Sequence, residues 1–292
     1  MPQVKALWRL LRPHQWLKNG FVFVGLLFGH AWHDGDKVLA ALAGFVAFCL
    51  LASAVYVVND LVDRERDRQH PQKRHRPLAA GSVAPPAALA LAALCLGAGL
   101  LVAFAGSSRA PWLFVAYLLL NGAYSGGLKH VVVLDVFLVA AGFMLRLLAG
   151  TLGVGIAPSH WLLVCGLFVT LFLGFAKRRA ELLALPADSG HRRVLGDYSA
   201  ALLDQFITVA AAGVVVSYSL YTVSPETIAL HGTANLIYTL PFVLYGLMRY
   251  LFLLHRRGGG GDPARDLLSD AHLILAVAGW LAFVIALLGG VR

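Results

Sequence analysis

Nine apolar runs divide this chain, and they limit what it can fold into. They cover about 19–33, 38–59, 84–105, 111–125, 131–152, 160–176, 200–223, 233–254 and 270–290. About 20 apolar residues in helical form span a bilayer. A helix is favoured there because every backbone polar group must be satisfied within the element. The expectation is an all-α integral membrane protein with nine transmembrane helices. The run at 111–125 is short and needs a tilt or a continuation into Gly126. Composition agrees: 59% of residues are hydrophobic and only 13% charged, about half the charged share of a soluble protein. The basic N-terminus leads straight into the apolar runs, without the pattern of a cleavable signal peptide.

The formal charge of +9 is placed unevenly. Twenty of the 24 Lys and Arg residues lie in the N-terminal segment, in 64–76, at Lys129, in 177–193 and in 249–265. The opposite connections hold only Lys37, Arg109 and Arg292, and Arg146 lies within a run. The positive-inside rule then puts the basic side and the N-terminus in the cytoplasm of a multi-pass cell-membrane protein. The same argument reads the excess charge as topology and points away from nucleic acid as a partner. Residues 1–12 form an amphipathic interfacial helix, with Trp8 on lipid and Lys5, Arg9 and Arg12 turned to headgroups. Cys49, Cys95 and Cys165 sit in apolar runs as core fillers. The glycine run 258–261 reads as a linker.

The segment 56–81 carries the chemistry. Tyr56, Asp63 and Asp67 fall on one helix face, with Asn59 and Asp60 to either side. Carboxylates on one face repel unless a cation sits among them. Hard oxygen donors at this spacing suit Mg²⁺, which takes one or two carboxylates together with substrate phosphates. Lys73, Arg74 and Arg76 follow and would grip phosphates. A solvated helix end with local salt bridges explains DRERDR by itself. It does not explain Asn59, Asp60 and Asp63, because a carboxylate inside a span costs roughly 2.5–3.5 kcal/mol or more.

A second block runs from Tyr124 to Gly150 and holds Lys129, Asp135 and Arg146. Asp135 and Arg146 share a helix face but stand about 16 Å apart along the axis, so each needs a different partner. An intramembrane Arg is a functional candidate by default, although snorkelling or pairing with a neighbouring carboxylate is the plainer explanation. Lys177 and Arg178 close the sixth run, where topology alone also predicts them. Lys18 precedes the first.

On these residues the chain resembles the UbiA-type superfamily of intramembrane prenyltransferases. NDLVDRERD is similar to its NDxxDxxxD motif, and YSGGLK followed by Asp135 to its second region. RPHQWLKN, the long second block and AKRRAEL resemble the branch that moves 5-phosphoribosyl from phosphoribosyl diphosphate to a polyprenyl phosphate. Members of that branch feed arabinose donors for cell-wall polymers. The resemblance implies one domain over 1–292, nine helices around a central cavity open to the cytoplasm, and an active-site segment at 60–83. It also implies homo-oligomers, a trimer among them.

Under that resemblance Asn59 and Asp63 hold Mg²⁺ on the diphosphate, with Asp60 or Asp67 as further or water-mediated ligands. Asp63, Asn59 and Lys129 are the catalytic set. Lys18, Tyr56, Lys73, Arg74, Arg76, Tyr124, Lys129, Asp135, Arg146, Lys177 and Arg178 bind the two substrates. The lipid phosphate is itself the nucleophile, so positioning and electrostatics would do most of the catalysis. A single aspartate in the second region, where many prenyl-diphosphate users carry a pair, favours the phosphoribosyl branch. The rival is a prenyltransferase that moves a polyprenyl group from its diphosphate to an aromatic or other acceptor. Transporters often show paired repeats with interrupted helices; this sequence shows no convincing repeat, and its charges gather at one mouth instead of the midplane.

Overall fold

The computed structural model describes residues 2–70, 73–106, 109–184, 193–256, 260, 266 and 269–289. Of the glycine run 258–261, only Gly260 lies among them. The described residues are helical or irregular, with no strand. Their contacts group into two compact units, 1–125 with 145–157, and 126–144 with 158–292.

In the first unit, α1 (Pro2–Leu11) ends at Arg12, whose backbone is left-handed at φ 53°. A 3-10 stretch, Pro13–Phe23, leads into the short α2 (Val24–Phe28). The long α3 (Gly35–Val62) starts on an Asp34 side chain that accepts from the Lys37 backbone N–H, which satisfies one orphan donor of its first turn. After α4 (Arg64–Gln69), α5 (Pro85–Ala105) begins with two prolines, where a missing N–H costs nothing. α6 is Trp112–Gly126. Val22, Phe48, Leu51, Leu113 and Phe114 are fully buried and form the main core. A second cluster of Leu10, Val57, Leu78 and Ala88 binds α1 to α3 and α5. Gly25 and Gly150 permit backbone contact: a Cβ on Gly25 would lie 1.8 Å from the Gly150 carbonyl oxygen.

The second unit opens with a 3-10 turn, Leu128–His130, before α7 (Leu134–Ala149), a helix that contributes residues to both units. α8 (His160–Leu183) and α10 (Ala200–Val223) are each capped by a serine, Ser159 and Ser199. Between them lies the short α9 (Arg193–Gly196). α11 (Pro225–His231), α12 (Leu240–Arg256) and α13 (Ala271–Gly289) complete the unit. Phe172 and Ala176 of α8, Leu203 and Ile207 of α10 and Leu254 of α12 make its core. Trp280 donates to the Tyr218 hydroxyl at 2.8 Å, which ties α13 to α10.

Among the described residues, seven helical spans are long and apolar enough to cross a membrane, against the nine runs of the sequence. The two that fall short have visible causes. Run 19–33 is wound partly as 3-10 helix and then as a five-residue helix, broken near Gly29 and by His30 at φ 50°. Run 111–125 makes a helix of 15 residues. The spans leave large apolar side chains outside, including Leu39, Leu94, Leu101, Val209 and Leu275. Such faces suit lipid.

Candidate active site

The last turns of α3 carry polar groups in an apolar helix. Asp60 is buried, and its Oδ1 accepts from Arg12 Nη2 at 2.6 Å and from Arg76 Nη1 at 3.0 Å. The same Arg76 nitrogen donates to Asp67 Oδ2 at 2.7 Å. Arg12 also lies over the Tyr56 ring, 5.0 Å from its centroid. The cation between the stacked carboxylates is therefore a guanidinium. This alters the expected donor set, because Asp60 and Asp67 already spend oxygens on arginine. It also corrects the expectation that Arg12 faces headgroups.

Asn59 and Asp63 remain. Asn59 Oδ1 accepts from Ser125 Oγ at 3.0 Å, which fixes the amide. Asp63 ends α3, and its carboxylate has no hydrogen-bond or ion-pair partner among the described residues. One amide oxygen and one carboxylate, a helical turn apart, fit the sparse protein share of a Mg²⁺ shell. Among the described residues no group of three His, Cys, Asp or Glu could hold a metal alone. A bound ion would thus draw its other oxygens from water and substrate phosphates.

Lys73 and Arg74 are exposed on a 3-10 turn, Lys73–His75. Lys18 is half-buried on the 3-10 stretch, and Tyr124 is half-buried near the end of α6.

Arg146 is buried within the first unit. Its Nε donates to Asn19 Oδ1 at 2.7 Å and its Nη2 to the Tyr117 hydroxyl at 3.1 Å. It also stacks on the Tyr117 and Phe48 rings, at 4.7 and 5.2 Å. Each of these contacts is with a neutral group. Asn19 is held in turn through Cys49, which accepts from its Nδ2 at 3.2 Å, so this cysteine is more than filler.

In the second unit Asp135 is fully buried, accepting from Arg178 Nε at 2.6 Å and from the Tyr198 hydroxyl at 2.9 Å. Arg178 also pairs with Glu181. Its guanidinium is committed to two carboxylates, which recasts an expected substrate contact as a packing element. Lys177 lies 3.9 Å from Glu181. Tyr198 accepts the Val133 N–H at 2.6 Å, and Val133 is held at φ 68°, an outlying conformation for a β-branched residue. Burial, then the Asp135 contact, pushes the Tyr198 hydroxyl up to about 12. It therefore stays a proton donor at neutral pH. These bonds shape the loop that carries Lys129, which is half-buried on the turn Leu128–His130.

Asn19, Tyr117, Ser125 and Tyr198 escaped the sequence reading. Asn19 lies in the RPHQWLKN segment, where an amide at the mouth of an apolar run was the available signal. For Tyr198, no periodicity marks it.

The profile of the UbiA prenyltransferase family matches residues 20–269. The chain belongs to that family. Decaprenyl-phosphate phosphoribosyltransferase of Mycolicibacterium smegmatis is 32% identical over 96% of this chain and 92% of the relative. The Corynebacterium glutamicum protein of the same name is 36% identical over 95% and 85%. A UbiA homolog from Archaeoglobus fulgidus, solved bound to GPP and Mg²⁺, superposes with a TM-score of 0.73 at 18% identity, covering 97% and 99% of the two chains. The UbiA fold and the apolar helices make this a multi-pass membrane protein.

Proposed function

We propose that this UbiA-family enzyme transfers 5-phosphoribosyl from 5-phosphoribosyl 1-diphosphate to a polyprenyl phosphate of decaprenyl type, releasing diphosphate. The observation that carries the proposal is identity of 32–36% with phosphoribosyltransferases of that name over nearly the whole chain. Residues 1–292 form a single UbiA-like transmembrane domain. Asn59 and Asp63 would hold Mg²⁺, which supplies charge neutralisation to the departing diphosphate. Asp60 and Asp67 keep Arg12 and Arg76 in place. Lys73, Arg74, Arg76 and Lys18 bind phosphate oxygens, and Tyr56 and Tyr124 offer hydrogen bonds. Lys129 and Arg146 orient the lipid phosphate, whose oxygen attacks the anomeric carbon as the C1–O bond to diphosphate breaks. Asp135, Arg178 and Lys177 act by shaping the loop that carries Lys129. Runs 19–33 and 111–125 supply the eighth and ninth crossings, the cavity opens to the cytoplasm where the N-terminus lies, and the working form is a homo-oligomer, such as a trimer.

The test feeds membranes carrying the protein with labelled phosphoribosyl diphosphate and polyprenyl phosphate, then extracts lipid. Label in the lipid phase, lost on chelation and restored by Mg²⁺, is expected. Label that moves only from prenyl diphosphate to a neutral acceptor would replace this assignment with prenyl transfer.

A further inference from the structure

Ser125, on the last turn of α6, reaches across to α3 and donates its hydroxyl to Asn59 Oδ1 at 3.0 Å. Both side chains are half-buried. Among the described residues no other hydrogen bond holds the Asn59 side chain. An amide has two unlike ends. Its oxygen carries two lone pairs and can face a cation, whereas its NH₂ carries two donors and repels one. The two ends are of similar size, so packing chooses poorly between them, and a hydrogen bond chooses well. Ser125 occupies one lone pair of Oδ1 and leaves the other for an ion. The backbone beneath is fixed separately, because the Asp63 N–H donates to the Asn59 carbonyl at 2.9 Å. Loss of the Ser125 hydroxyl would therefore release the amide and not the helix turn.

We propose that Ser125 is a positioning residue of the ion site: it turns the oxygen end of the Asn59 amide, and not the NH₂ end, toward the ion. The inference rests on the reading of Asn59 and Asp63 as the residues that hold that ion. It asks for no contact between Ser125 and the ion or either substrate. Groups that orient a metal ligand in this way typically change metal affinity about tenfold or more when removed.

The test measures binding without turnover. Mn²⁺ replaces Mg²⁺ as a spin-active probe, and electron paramagnetic resonance reads its binding to the full chain in nanodiscs with inorganic diphosphate. Ser125→Ala should weaken Mn²⁺ binding about tenfold at an unchanged melting temperature. Ser125→Thr keeps the hydroxyl and should retain wild-type affinity. Should the alanine variant melt early, Ser125→Cys, of similar size but with only a weak donor, should still weaken binding. The deciding background is Asn59→Asp, where both ends of the side chain are oxygen and there is no end to choose. There Ser125→Ala should change affinity by no more than about twofold. Equal weakening in both backgrounds, or no weakening in the wild-type background, overturns the proposal and leaves the ion site standing. No Mn²⁺ bound by the wild-type chain removes the ion site itself, and the proposal falls with it.

Discussion

Asp60 sits between two guanidinia, and that fixes what its neighbours are left to do. With Asp60 and Asp67 occupied by Arg76, Asp63 is the carboxylate free to meet an ion beside Asn59. Asp63→Asn should therefore abolish Mg²⁺-dependent transfer while thermal melting stays at the wild-type temperature. Wild-type turnover in that variant would remove Asp63 from the site. Asp135 should behave in the opposite way. It is buried against Arg178, and removing one partner of a buried ion pair costs about 3–5 kcal/mol. Asp135→Ala should then lower the melting temperature sharply, and activity would fall with the folded fraction. Loss of activity without loss of stability would assign Asp135 to substrate. The resemblance placed both aspartates in one site, as metal ligand and substrate contact. The sequence does not show that Arg178, on another helix, reaches Asp135 and leaves Asp63 without such a partner among the described residues.

At the scale of elements, close approach and loop shape dominate. A side chain on Gly150 would put its Cβ 1.8 Å from the Val22 carbonyl oxygen. Backbone cannot yield as a flexible side chain can, so Gly150→Ala should separate the Pro13–Phe23 stretch from the end of α7 and lower the yield of folded protein in detergent. Tyr198→Phe deletes a hydroxyl that bonds both Val133 N–H and Asp135. The expected loss is about 1–3 kcal/mol for stranded buried groups. It should come with a raised KM for the lipid phosphate and a smaller change in KM for the donor; an unaltered KM ratio would deny the loop its positioning role. Helix type was legible throughout, because hydropathy over 20 residues is a strong signal. α10 begins and ends where its apolar run does, at 200 and 223. α8 runs on to Leu183, past the apolar limit at 176, because charged residues propagate a helix as well as apolar ones do. The 3-10 winding of Pro13–Phe23 left no trace in hydropathy, which cannot tell 3-10 from α over so short a run.

For the whole molecule, the distribution of Lys and Arg makes a topological claim that labelling can check. In a background without native cysteines, Lys73→Cys should react with a membrane-impermeant thiol reagent only from the cytoplasmic side, and Asp36→Cys only from the other. Labelling of both from one side would refute the inferred orientation. The tie between Arg12 and Asp60 has a consequence at this scale too. Arg12, which follows the amino-terminal helix, bonds Asp60 on the same last turns of α3 that carry Asn59 and Asp63. Displacing that helix would therefore strain the end of α3 through this single ion pair.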